Sequence, residues 1–188
     1  ETFQKAFTKI TQKITLAPRL FAKADGGLLL FVTQEQGDIL SILYAVSEDG
    51  LSWTELVPLA PEPQITLSFL PYHLSYEGRE YVVFQALQFG EGGAYQIFLK
   101  TSTDGGKSWN PMKVVMDMKN HGGLAESLNG VTDPSVLFDT KNKTIWVAAM
   151  WLSGGSKDKM AWWASQPGML PTETGQFMLV KSTDDGIT

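Results

Sequence analysis

Three aspartates stand at equivalent places in a recurring sequence, which makes them the first residues to weigh for acid–base chemistry. The complete copy, Ser102-Thr103-Asp104-Gly105-Gly106-Lys107-Ser108-Trp109, reads S-x-D-x-G-x-[ST]-W. A shortened copy runs Ser47-Glu48-Asp49-Gly50-Leu51-Ser52-Trp53, and a third, Ser182-Thr183-Asp184-Asp185-Gly186-Ile187-Thr188, stops before its Trp. Short polar side chains beside a glycine bond nearby backbone N–H groups and close a tight turn, with glycine at the φ > 0 position. Asp49, Asp104 and Asp184 are therefore assigned to turns on a rim away from any pocket, and are set aside as catalysts.

The remaining chemistry-bearing residues form few patterns. His73 and His121 are 48 residues apart and make no metal-ligand spacing; each reads as structural or solvated. Gly90-Glu91-Gly92-Gly93 is glycine-rich but is followed by neither a Lys-Ser/Thr pair nor a helix, so phosphate binding has no support. Glu126 and Glu173 read as surface loop carboxylates. The chain has no cysteine, which removes disulfides, thiolate metal sites and thiol nucleophiles.

The elements that must position any site are strands. Upstream of the boxes lie Ile39 to Val46, Tyr95 to Thr101 and Phe177 to Lys181, short apolar runs rich in β-branched or aromatic residues. Each unit also carries an earlier hairpin. Arg19 to Val32 turns at Gly26-Gly27, Tyr72 to Phe84 turns at Glu77-Gly78, and Ser135 to Ala149 turns with Asn142 in place of glycine. Two hairpins give about four strands, one blade of a β-propeller.

The fold class is thus all-β: a propeller of four-stranded antiparallel blades, expected over about 15–60, 65–115 and 130–188, in one domain or fragment spanning 1–188. The boxes begin at residues 47, 102 and 182, so the second interval holds an insertion that maps to loops on one face. Propellers close with about four to eight blades, and three leave two sheet edges open, so the chain is expected to be a piece of a larger domain.

Composition agrees with a turn-rich β protein: 43% hydrophobic residues, 18 Gly and 9 Pro in 188 residues. There is no apolar run long enough to span a membrane. A net charge of −5 with no Lys/Arg cluster gives no reason to expect nucleic acid.

From about Gln96 to Thr188 the chain resembles bacterial exo-sialidases (neuraminidases) with Asp-box, or BNR, repeats. The resemblance rests on the boxes together with Gly130-Val131-Thr132-Asp133-Pro134-Ser135, Lys143 to Trp151, Ala161-Trp162-Trp163-Ala164-Ser165-Gln166-Pro167-Gly168-Met169 and Glu173-Thr174-Gly175-Gln176. It implies a glycoside hydrolase that removes terminal sialic acids with retention. The family holds the sugar carboxylate with three arginines, uses a Tyr beside a Glu as nucleophile, and an Asp as acid/base. A neutral Tyr suits an anomeric carbon that already bears a carboxylate, which repels an anionic nucleophile.

The family places its first Arg in an R-I-P sequence and the Asp after the following hairpin. In the blade before the complete box, Phe69-Leu70-Pro71-Tyr72 and Gln85-Ala86-Leu87-Gln88 stand at these places and can do neither task. The first blade comes nearer, with Arg19 and Glu35 as the catalytic candidates, although that alignment inserts an extra blade. For substrate binding the resemblance points to Asp133, which would accept from a sugar hydroxyl, and to Trp151, Trp162 and Trp163 as an apolar wall for the N-acetyl group. The plain structural alternatives are an Asx turn or strand cap before Pro134 for Asp133, and interblade core for the tryptophans, of which adjacent Trp162 and Trp163 point opposite ways.

The expected partner is a sialylated glycan or another carbohydrate, with no cofactor or metal implied. The expected location is secreted, periplasmic or on a bacterial cell surface. With no matched R-I-P and no matched acid, the chain by itself is expected to be inactive. The alternatives are a non-catalytic carbohydrate-binding propeller and a structural array that binds protein.

Overall fold

The computed structural model describes residues 15–37, 39–88, 95–117, 131–152 and 175–183. Within them every regular element is a strand. The first meander is β1 (Thr15–Ala22), β2 (Leu28–Gln36), β3 (Ile39–Ser47) and β4 (Val57–Pro58). The second is β5 (Ile65–Tyr76), β6 (Arg79–Gln88), β7 (Tyr95–Ser102) and β8 (Lys113–Met116). The third is β9 (Val131–Asp139), β10 (Thr144–Leu152) and β11 (Gly175–Ser182). Within each meander neighbouring strands are antiparallel. A single parallel bridge, Leu40 to Leu67, joins the first to the second. This is a partial β-propeller whose blades pack face against face.

Period-two alternation in the middle blade explains the stacking. Val82, Phe84 and Ala86 of β6 face the first blade, where they join Leu29, Phe31, Ile42, Tyr44 and Val46. Tyr81 and Val83 face the other way, onto Phe138, Ile145, Val147 and Ala149 of the third blade. Phe31, Phe84, Phe98 and Tyr81 are fully buried, and each such side chain stabilises the stack by roughly 1.5–3 kcal/mol. The outer face of the third blade leaves Leu137 and Leu179 exposed.

The box turns form as their residue types require. The Ser47 Oγ accepts from the Gly50 N–H at 2.8 Å, and Asp49 Oδ1 accepts from the N–H groups of Leu51 and Ser52 at 2.8 and 2.7 Å. In the second box, Ser102 Oγ accepts from Gly106 N–H at 2.9 Å, and Asp104 Oδ1 accepts from Ser108 N–H at 2.9 Å. Gly50, Gly105 and Gly106 all have positive φ. The third copy lies outside the described residues from Asp184 onward. In the β9–β10 hairpin Asn142 lies in the turn as expected, and the left-handed residue is its neighbour Lys143, φ 54°. Asn142 uses its amide N–H groups, backbone and side chain, on the Asp139 carboxylate.

Hydrogen bonds from the turn lower the pKa of both box aspartates to about 2, from Ser52 and Leu51 N–H for Asp49 and from Ser108 for Asp104. Both folded values lie below the ordinary 3.8, so their contribution to stability is present above about pH 4 and is lost as pH falls toward 2. Asp104→Asn is expected to shrink the fall in melting temperature between pH 5 and 2. An equal fall in variant and wild type would show that these turns do not set acid sensitivity.

Candidate functional site

The innermost strands β1, β5 and β9 share a feature that local preferences disfavour. Each contains a residue in the left-handed region immediately before a proline: Ala17 at φ 46°, Leu70 at φ 54° and Asp133 at φ 51°. A residue before proline ordinarily adopts extended backbone, and a non-glycine residue at positive φ costs about 1–3 kcal/mol where the surroundings enforce it. The pairing shows what enforces it. Leu16 pairs with Thr33 and Arg19 with Phe31; Phe69 pairs with Gln85 and Tyr72 with Val83; Thr132 pairs with Met150 and Ser135 with Ala148. In every blade two residues of the inner strand stand opposite one residue of the next, a β-bulge that re-aims its side chains.

The bulges lie near the starts of β1 and β9 and at the middle of the longer β5, with the sheet end where β2 and β10 finish beyond them. The boxes follow β3 and β7 and so occupy the opposite rim. Of the three bulged residues, Ala17, Leu70 and Asp133, only Asp133 carries a group that can bind a polar ligand.

Asp133 is exposed. Its backbone N–H, taken out of the β9–β10 ladder by the bulge, donates to Gln85 Oε1 at 2.7 Å. The Thr132 hydroxyl lies 3.3 Å from Asp133 Oδ2 and 3.5 Å from the Met150 carbonyl oxygen. Among the described residues neither contact is the bond of an Asx turn, and one weak contact to one carboxylate oxygen leaves the exposed group able to accept others. Trp151 pairs with Val131, two residues before Asp133, which puts it on the same rim. Trp162 and Trp163 lie outside the described residues.

Arg19 and Glu35 are not brought together. Arg19 pairs with Phe31, and its guanidinium lies 4.3 Å from the centre of the Tyr72 ring, with Nε buried and without a hydrogen-bond partner. Glu35 pairs with Leu40, four residues farther along β2, a rise of about 13 Å, and is exposed. In the second blade Ala86 is fully buried in the core shared with the first blade, and Phe69 stacks edge-on against Tyr95 at 5.7 Å. Neither Phe69 nor Ala86 can serve as a carboxylate clamp or proton donor.

A polar cluster whose partnership sequence reading missed lies between the first two blades. His73 Nε2 is 2.6 Å from Glu80 Oε2, which also accepts from the Ser75 hydroxyl. The β5–β6 hairpin register, placing Ser75 opposite Glu80, was the available signal. Side chains of His73 and Glu80 are 2% and 4% exposed, with the Phe21 ring 5.3 Å from the imidazole, so no substrate reaches them. Nearby, Lys100 pairs with Glu62 at 2.8 Å.

Burial pushes the His73 pKa below the ordinary 6.5, although Glu80 pulls it upward. The unfolded chain then takes up a proton that the folded one refuses, so this stabilisation is complete above about pH 6.5 and shrinks as pH falls. A plot of unfolding free energy against pH should slope downward below 6.5, and His73→Gln should flatten it. A slope unchanged by the substitution would mean that His73 titrates alike in both states.

Among the described residues, no group of three or more His, Asp or Glu side chains is placed to hold a metal ion. Hollows occur elsewhere among the described residues. One of about 430 Å³ lies beside Trp53 and Lys107 at the box turns, and one of about 410 Å³ lies over Trp146 and Leu179 on the outer face of the third blade.

No family model matches the chain. It is 49% identical over 92 residues to a sialidase of Bacteroides fragilis (strain YCH46), a match that covers 49% of the chain and 17% of that protein. Among solved structures, a Hadza microbial sialidase superposes with a TM-score of 0.54 at 29% identity, over 81% of this chain and 33% of that one. An alpha-L-arabinanase of Penicillium chrysogenum, solved with arabinobiose, superposes at 0.57 with 18% identity, over 89% of this chain and 46% of that one, a likeness of fold alone. The chain spans about a sixth of the length of the curated sialidase it matches. It is a partial β-propeller that resembles bacterial sialidases over half of its length.

Proposed function

We propose that this chain forms part of a glycoside hydrolase propeller that removes terminal sialic acids from glycans with retention, and that Asp133 binds a hydroxyl of the sugar. The observation that carries the reading is the Asp133 bulge. A strained backbone is held so that an exposed carboxylate projects from an innermost strand, in a chain half of which resembles a sialidase. Accepting from a sugar hydroxyl gives a charge-assisted bond. Trp151, at the end of the adjacent strand, together with Trp162 and Trp163, is assigned to the apolar side of the sugar. Such a glycan is met outside the cell, so we place the protein in secreted, periplasmic or cell-surface locations.

Arg19 and Glu35 have the residue types for a carboxylate clamp and an acid. The residue opposite Arg19 and Glu35 itself stand about 13 Å apart along β2, so a substrate that used both would have to lie between them. A second reading, a carbohydrate-binding propeller without catalysis, is favoured by one observation: Ala86 fills core space where the resemblance places an acid.

The test is hydrolysis of a fluorogenic sialoside by the protein that carries this chain, beside its Asp133→Ala variant. Hydrolysis that drops with the substitution supports the enzyme reading with Asp133 at the sugar. A folded protein that binds sialyllactose without hydrolysing it supports the binding propeller, and one that does neither removes both.

A further inference from the structure

We infer that Gln85 is a positioning residue for Asp133, reaching across the interface between the second and third blades to fix the direction of the sugar-binding carboxylate; this rests on the sialic acid reading above. The donor is unambiguous. A backbone N–H can only donate, so the Gln85 group 2.7 Å from Asp133 N is its carbonyl oxygen, Oε1. Gln85 is 2% exposed and stands in β6 between Val83 and Leu87, on the face turned toward β9. A primary amide there loses its hydration, and it stays favourable by satisfying an N–H that the bulge removes from the ladder.

The preceding pair of blades shows that the bulge itself does not need this bond. The residue of β2 at the register position of Gln85 is Thr33, which stands opposite Leu16 as Gln85 stands opposite Phe69. The Thr33 hydroxyl is buried with no hydrogen-bond partner, so the bulge at Leu70 in the next blade forms without such a contact. The Leu70 side chain has no polar group to aim; Asp133 has one, and there the cross-blade amide contact is made. The sequence separation of 48 residues makes Gln85 a link between the core of one blade and the rim of the next.

The test uses Gln85→Met, which keeps side-chain length and apolar packing but removes the strong acceptor, and Gln85→Glu, which keeps an acceptor oxygen at the same reach. Two quantities are read on the protein that carries this chain: hydrogen exchange of the Asp133 amide, and affinity for 3′-sialyllactose. Gln85→Met should speed exchange at Asp133 by about tenfold or more, with Leu137 and Phe138 unchanged, and weaken sialyllactose by about tenfold, the scale of one hydrogen bond. Gln85→Glu should keep the amide protected. Exchange accelerated equally along all of β9 would show that Gln85 only stabilises the blade, which overturns the inference. Faster exchange at Asp133 with sugar affinity within twofold of wild type also overturns it. If the unsubstituted protein binds no sialyllactose, the sugar reading fails by itself, and the exchange ratio still decides whether Gln85 holds Asp133.

Discussion

Gly106→Ala is expected to lower the free energy of unfolding by about 3 kcal/mol or more, the sum of a backbone and a steric penalty. The backbone at Gly106 has φ +81°, a conformation that an L side chain opposes. A Cβ built there would stand 2.8 Å from Leu29 Cδ2 and 3.3 Å from Cδ1. Leu29 is fully buried beside Phe31 and Phe84 in the core between the first two blades, so it has no empty space to rotate into. Gly26→Ala separates the two penalties. It shares the positive φ, at +91°, but its Cβ would meet nothing within 4 Å, so it should cost only about 1 kcal/mol. Urea titrations of both variants measure the difference, and Gly106→Ala combined with Leu29→Ala should recover part of the steric share. Equal losses at the two glycines would mean that the second box does not rest on the first blade.

That contact changes what the boxes do. The second box belongs to the second blade, yet it closes against the first. The Tyr44 hydroxyl donates to the Lys107 carbonyl at 3.1 Å, Trp109 lies edge-on to Tyr44 at 6.0 Å, and Gly105 lies beside the Lys23 ammonium. Lys23, with 1% of its side chain exposed, bridges Asp25 of the β1–β2 turn and Glu48 of the first box at 3.1 and 3.3 Å. The aspartates of the boxes shape the turns, and the second box so shaped clasps the first blade through Lys107, Trp109 and Gly106, at the end of the sheets opposite Asp133.

The boxes and blades were legible in the sequence because the interactions that make them are local. Ser47, Asp49 and Gly50 are close enough along the chain to bond one another in one conformation, and continuous apolar runs such as Tyr81-Val82-Val83-Phe84 mark a strand buried on both faces. The bulges were not legible. Ala17, Leu70 and Asp133 each precede a proline, and local preference argues for extended backbone there; strand pairing overrules it. The same prolines repeat visibly at Pro18, Pro71 and Pro134, which was the available signal. In the sequence Gln85 reads only as a residue standing where the resemblance places an acid. Its contact depends on how two blades stack, and no spacing within one hairpin encodes that.

Replacing Asp133 should separate binding from stability more sharply than its exposure alone implies. An exposed side chain by itself predicts little change in stability on its loss. The positive φ refines that, because aspartate tolerates the left-handed region better than alanine and glycine adopts it freely. Asp133→Gly should hold or raise the melting temperature, and Asp133→Ala should lower it slightly. Both should weaken sialyllactose binding by about tenfold to a hundredfold, since both remove a charge-assisted acceptor. Asp104→Ala should behave in the opposite way. It should cost about 1 kcal/mol, a value discounted for the exposure of its turn bonds, and leave sugar affinity untouched because that turn lies on the far rim. Thermal melts and sialyllactose titrations on the three variants give the result directly. If Asp133→Gly melts well below wild type while keeping its affinity, the carboxylate caps a strand, and the site lies elsewhere on the propeller.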